Sequence, residues 1–148
     1  MKNILYILIL VLFIGGIFAY QMYTKEHTSV ADTEAVAQTS ADQLFNAFEA
    51  RESEAMVAFG DKVLEISGAI YTIDLSNELE PQIVLQTSVD NGYIRCGFAA
   101  DAKAQIENLS EGDTIKLKGI CKGLNASEEL DLLADKDVVM SNCIIIDQ

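Results

Sequence analysis

Three cysteines are the residues of this chain with the clearest potential for chemistry. Cys96, Cys121 and Cys143 each lie in an apolar, strand-like run, none forms a CxxC pair, and the single histidine is His27. A structural zinc site needs about four closely spaced Cys or His ligands, and a catalytic thiol needs a neighbouring base. We therefore expect no metal site and no nucleophilic cysteine. Two alternatives stay open: one disulfide with one thiol left over, or three buried thiols that act as small apolar side chains.

Carboxylates are abundant, but no catalytic motif marks any pair of them. Asp131, Asp135 and Asp137 lack the central glycine and the terminal glutamate of an EF-hand loop. We interpret them as solvated loop charges. The sequence therefore predicts a protein that is not an enzyme and that carries no cofactor.

The charge balance argues against a nucleic-acid partner without excluding one. From Ala31 onward the chain has 22 Asp and Glu against 8 Lys and Arg, a formal charge of −14. A nucleic-acid-binding face needs cations that neutralise phosphates. Lys116, Lys118 and Lys122 form the only close basic cluster. We expect the acidity mainly to keep an exported domain soluble.

The N-terminal segment is typical of a membrane anchor. Residues 3 to 24 carry no charge and are mostly aliphatic, which is enough for a helix across a core of ~30 Å. A cleaved signal peptide is the alternative, but Ile17 and Ala19 make a poor small-x-small cleavage site. We expect a signal-anchor helix at 1–23, a flexible linker at 24–39 and a folded domain at 40–148. The predicted product is a single-pass membrane protein with its domain on the extracytoplasmic, periplasmic side.

The periodicity of the domain predicts a mainly β fold. Glycines within two of the predicted strands, Gly68 and Gly119, indicate bends of the kind that a small closed Greek-key barrel requires. The predicted order is one amphipathic helix, three strands, a short helix and two strands. The sequence leaves undecided whether residues Leu124–Lys136, between the last two strands, form a short helix or an irregular strand. The predicted helices are Ala41–Ala58 and Ala102–Leu109, and the predicted strands are Val63–Ile73, Gln82–Ser88, Gly92–Phe98, Thr114–Cys121 and Asp137–Ile146. Because Cys121 and Cys143 lie in the last two strands, a bridge would join this pair.

Four segments of the domain carry a resemblance to a known family. They are Lys62–Gly68, Ile94–Phe98, Leu109–Gly123 and Asn142–Ile145. In these segments the chain resembles the tRNA-anticodon-like OB-fold proteins of bacteria. The resemblance extends from about Ser40 to the C-terminus. The resemblance implies a five-stranded OB-fold barrel.

An OB fold binds ligands on the face of its second and third strands and in the adjoining loops. In this chain that face offers Tyr71, Gln82, Gln86, Tyr93 and Arg95 as candidate ligand-binding residues. Two aromatics and one arginine make a small platform for nucleic-acid bases.

Three functional hypotheses follow. The first is a membrane-tethered, extracytoplasmic OB-fold module that binds a protein or a small polar ligand without catalysis. The second is a nucleic-acid-binding OB-fold protein. The third is an assembly component of an envelope complex that docks through the Phe45 and Phe48 side of its helix.

Overall fold

The computed structural model describes residue 30, residues 33–126 and residues 136–147. It contains six strands, two α-helices and one 3₁₀ turn, Ala100–Ala102. The strands are β1 (Ala37–Ser40), β2 (Val63–Asp74), β3 (Gln82–Gln86), β4 (Gly92–Phe98), β5 (Thr114–Ala126) and β6 (Lys136–Asp147), and the helices are α1 (Ala41–Phe59) and α2 (Lys103–Ile106).

Five of the strands close into a barrel, as the sequence predicts. The order around the barrel is β2-β3-β4-β6-β5, and pairing of β2 with β5 closes it. All of these pairings are antiparallel except the one between β4 and β6, which is parallel. The closed barrel is consistent with an OB fold.

The folded domain begins before Ser40. Residues 37–39, which the sequence places in the linker, belong to β1, which pairs in parallel with residues 64–67 of β2. β1 is too short and too polar to stand out by periodicity. It leads directly into α1.

The helix α1 covers one end of the barrel. Ser40 caps it, because its hydroxyl oxygen accepts a hydrogen bond from the Gln43 backbone N–H at 3.2 Å. Leu44, Phe45 and Phe48 are almost completely buried in the core. The helix is kinked at Arg51, where φ is −154° and ψ is 80°. The prediction that Phe45 and Phe48 dock a partner is therefore wrong, because both rings already fill the barrel end.

The two glycines predicted to bend the barrel lie at irregular places in their strands. The pairing of β5 with β6 shifts register between Lys118 and Ile120, on either side of Gly119. A Cβ on Gly119 would lie 2.6 Å from Cys143 Sγ. On β2, Gly68 lies just before the point where the strand changes its antiparallel partner from β5 to β3. Both positions need glycine for space rather than for an unusual φ.

The structure extends one other predicted element and shortens another. Leu124–Ala126 continue β5, which decides part of the ambiguous stretch in favour of strand. The helix predicted at Ala102–Leu109 is confined to α2 and the preceding 3₁₀ turn. Within the described residues no helix is long and apolar enough to cross a membrane. The predicted anchor at 1–23 lies outside the described residues.

Candidate ligand-binding face

The five predicted ligand-binding residues share the outer surface of the β2–β3–β4 sheet. Strand alternation directs Ile83, Leu85, Ile94 and Cys96 into the core, where all are buried. The residues between them therefore lie outside. The outward residues are Gln82, Val84 and Gln86 on β3 and Tyr93, Arg95 and Gly97 on β4, with Gln86 opposite Tyr93 and Val84 opposite Arg95.

Two tyrosines stack on this surface. Tyr71 lies where the register of β2 against β3 shifts between Ile70 and Thr72, and this bulge leaves its side chain exposed. The ring centroids of Tyr71 and Tyr93 are 4.8 Å apart with an interplanar angle of 33°. Such aromatic pairs form at centroid separations of ~4.5–7 Å. We call the surface around this pair, with Gln82, Gln86 and Arg95, the tyrosine face.

Arg95 is held by the carboxylate of Asp137. The interpretation of Asp137 as a solvated loop charge is therefore wrong, because this residue lies in β6 and its side chain is buried. The Nε and Nη2 atoms of Arg95 donate to Asp137 Oδ2 at 2.8 and 2.5 Å, and Arg95 Nη1 donates to Gln82 Oε1 at 3.4 Å. The parallel pairing of β4 with β6 sets Asp137 beside Tyr93. The Asp137 side chain is only 8% exposed, whereas that of Arg95 is 39% exposed. Asp137 Oδ1 is buried and has no hydrogen-bond partner among the described residues.

Two further carboxylates lie close to Arg95. Hydrogen bonds from Ser76, and to a smaller extent the charge of Arg95, lower the pKa of Asp74 below its ordinary value. Glu80 Oε1 lies 3.1 Å from the position that a Cβ on Gly97 would occupy, so this carboxylate lies against β4, two residues from Arg95. One guanidinium thus shares the surface with three carboxylates.

The other cations of the domain are largely engaged. In the described part of the chain, five of the eight Lys and Arg side chains from residue 31 onward lie within 4.0 Å of a carboxylate: Arg51, Arg95, Lys103, Lys122 and Lys136. Lys62 instead donates to the carbonyls of Val57 and Ala58 at the end of α1. The basic cluster noted in the sequence is no open patch, because Lys122 pairs with Asp61 and Lys118 is only 9% exposed.

The three cysteines are free and buried in this structure. Burial, and then the neighbouring Cys143 thiol, raise the pKa of Cys96 well above 9.0. Burial also raises the pKa of Cys121. These inert thiols fit the alternative of a reduced, packed set. The Cys121–Cys143 bridge stays a prediction, which mass analysis of alkylated, unreduced protein tests.

Among the described residues, no group of three or more His, Cys, Asp or Glu side chains is placed to hold a metal ion. The tyrosine face itself offers aromatic rings, amides and paired charges. These groups suit reversible binding of a polar ligand.

Comparison with known sequences identifies the family. The sequence model of the tRNA_anti-like family matches residues 1–136. The chain belongs to the tRNA_anti-like family. The match begins at residue 1, before the segments that carry the resemblance in the sequence, and ends at the start of β6. No curated protein matches the chain.

Solved structures share the fold of this tRNA_anti-like domain at low sequence identity. A lipoprotein of Klebsiella pneumoniae, named as a candidate nucleic-acid-binding protein, is 14% identical with a TM-score of 0.54, over 84% of this chain and 100% of that one. An asparaginyl-tRNA synthetase of Entamoeba histolytica is 14% identical with a TM-score of 0.39, over 61% of this chain and 22% of the synthetase. The aspartyl-tRNA synthetase of the same organism is 11% identical with a TM-score of 0.43, over 66% of this chain and 21% of the synthetase. The Klebsiella structure supports the fold assignment.

Proposed function

We propose that this tRNA_anti-like domain is a non-catalytic binding module whose tyrosine face takes a cationic segment of a protein partner. One observation carries the proposal: among the described residues Arg95 is the one cation of the face, it is paired with Asp137, and the carboxylates of Asp74 and Glu80 lie on the same surface. The face therefore has a net negative charge. A ligand with a guanidinium or ammonium group meets an attractive potential there.

The stacked tyrosines add a second source of affinity for such a ligand. A cation over a tyrosine ring gains about 0.5–2 kcal/mol, depending on how far the contact excludes water. Tyr71 is 49% exposed, so a face of its ring is accessible. The side-chain amides of Gln82 and Gln86 lie on the same surface and offer both donors and acceptors to a peptide backbone.

The proposal includes a place for the module: tethered by a signal-anchor at 1–23, with the domain on the extracytoplasmic side. The uncharged segment from residue 3 to 24 supports this placement, as does the designation of the Klebsiella protein as a lipoprotein. Protease added to intact spheroplasts should degrade the domain, and the untreated protein should sediment with membranes. Full protection of the domain would contradict the extracytoplasmic placement.

Binding to defined probes tests the ligand class. The full-length chain in dodecyl maltoside is titrated against a fluorescent peptide rich in arginine and glycine, a matched peptide with glutamate for arginine, and a deoxythymidine oligomer of about 12 nucleotides, within the site size of one OB fold. The proposal expects the arginine peptide to bind saturably, in a salt-sensitive manner and much more tightly than either other probe. Equal binding of both peptides, or of neither, would refute it.

A nucleic-acid ligand is the second candidate. The tyrosine pair favours it, since bases stack on exposed aromatic rings, and so does the name of the Klebsiella protein. The same titration separates the two candidates. Tight binding of the oligomer, with binding that falls steeply as salt rises, would favour nucleic acid.

A further inference from the structure

Asp137 occupies one of the two edges of the Arg95 guanidinium that an anionic ligand could use. Arginine binds phosphate and carboxylate through neighbouring N–H groups of its planar guanidinium. Here Nε and Nη2 both donate to Asp137 Oδ2, and Nη1 donates to Gln82. The pairing is intramolecular, so it competes with any ligand that approaches in solution.

From this geometry we infer that Asp137 is a specificity-determining residue, which excludes phosphate from the tyrosine face by holding Arg95. The inference rests on the proposal that this face is the ligand-binding surface. It explains how a barrel with two stacked tyrosines and an arginine can discriminate against nucleic acid. The discrimination comes from one carboxylate of β6.

Burial makes Asp137 a strong competitor. Its side chain is 8% exposed, and Arg95 is its hydrogen-bonding partner in the described residues. A phosphate that captured Arg95 would leave a buried carboxylate without its counter-ion, which is strongly unfavourable. Oδ1 adds to the effect, because among the described residues this buried acceptor oxygen has no hydrogen-bond partner to offset its negative charge.

Asp137 acts through Arg95, so the test must separate specificity from a merely structural role. The variant D137N keeps the size and shape of the side chain and removes its charge. D74N is the matched control, because Asp74 also lies near Arg95 but forms no hydrogen bond with it. Oligonucleotide affinity and its salt dependence are the readouts, since a structural defect would not raise affinity.

The full-length chain in dodecyl maltoside is titrated with the fluorescent deoxythymidine oligomer across a salt series. We expect D137N to bind the oligomer about tenfold more tightly than wild type at low salt, on the order of one charge-assisted hydrogen bond. The slope of log K against log salt should steepen by about 0.7, the value for one added phosphate contact on a single strand. D74N should show a smaller increase in affinity for the oligomer and the same slope of log K against log salt as wild type.

The double variant R95A/D137N should lose the gain. Wild-type binding that is already tight and falls on R95A substitution would overturn the inference. The inference would also be overturned if D137N had a wild-type far-UV circular dichroism spectrum but bound the oligomer no more tightly than wild type. If D137N fails to fold, D137S gives a second route to a released Arg95 and faces the same criteria. Failure of the arginine peptide to bind wild type would instead refute the proposed function, since that result does not depend on the oligomer.

Discussion

Gly119→Ala tests how tightly the barrel closes between β5 and β6. The added Cβ would lie 2.6 Å from Cys143 Sγ, 3.3 Å from Met140 Cε and 3.3 Å from the Ser141 carbonyl oxygen. Ordinary contacts between carbon atoms are ~3.5–4.0 Å. Cys143 is 3% exposed and Met140 is 1% exposed, so neither side chain can move into solvent.

The expected cost follows from these contacts. Overpacking of a close-packed core costs about 1–3 kcal/mol, and replacing glycine in a strand returns roughly 0.5–1 kcal/mol of backbone entropy. We therefore expect G119A to lower the free energy of unfolding by about 0.5–2 kcal/mol. Urea denaturation followed by circular dichroism should show a lower midpoint with an unchanged m-value.

A double-mutant cycle identifies the clash. Cys143→Ala removes the Sγ atom, so G119A should cost much less in that background, with a coupling energy of about 1–2 kcal/mol. Gly112→Ala is the matched control. Gly112 has φ of +91° and no atom within 4 Å of its added Cβ, so backbone strain alone should make G112A destabilising, with no coupling to Cys143. If G119A costs as much with Cys143→Ala as without it, the described packing is wrong.

Two further predictions concern the core. Burial raises the pKa of Cys96 well above 9.0 in the folded state. Above about pH 9 this thiol therefore ionises only in the unfolded state. As a result, the free energy of unfolding should fall by up to ~1.4 kcal/mol per pH unit for this thiol. Urea midpoints between pH 8 and 10 check this, and a Cys96→Ser variant with an equally steep decline would contradict it. Phe48 is 1% exposed, so Phe48→Ala should lower the free energy of unfolding by about 3–5 kcal/mol. Val57 lies on the same helix and is 79% exposed, so Val57→Ala should change this free energy by less than ~0.5 kcal/mol. Similar urea midpoints for the two variants would contradict the assignment of Phe48 to the core.

Much of the barrel is predictable because local signals agree along the chain. Alternation in residues 82–86 and 92–98 directs Tyr93 and Arg95 outward and Cys96 inward, and the Asp-Asn-Gly turn fixes the hairpin between these strands. The cap at Ser40 and the three- and four-residue spacing of Leu44, Phe45 and Phe48 fix α1. These signals act within one element or between consecutive elements.

The remaining features depend on contacts between distant elements. Asp137 meets Arg95 because β4 and β6 pair in parallel with Tyr93 opposite Asp137. The sequence pattern places Asp137 at the start of the last strand, yet it does not say which side chain of a neighbouring strand Asp137 meets. The approach of Cys143 to Gly119 likewise depends on a register shift between strands. The side chains that share the tyrosine face could therefore be predicted from the sequence, whereas the pairing of Arg95 with Asp137 could not.

The central claim is that the tyrosine face binds cationic groups. The most direct measurement is the dissociation constant of the arginine–glycine peptide for the full-length wild type, Tyr71→Ala and Tyr93→Ala in dodecyl maltoside, with Val57→Ala as a surface control. The loss of one cation–π contact is worth about 0.5–2 kcal/mol. We therefore expect the dissociation constant to rise roughly 2- to 30-fold in each tyrosine variant and to stay unchanged in the control. Unchanged affinity in both tyrosine variants, with their far-UV circular dichroism spectra intact, would contradict the claim.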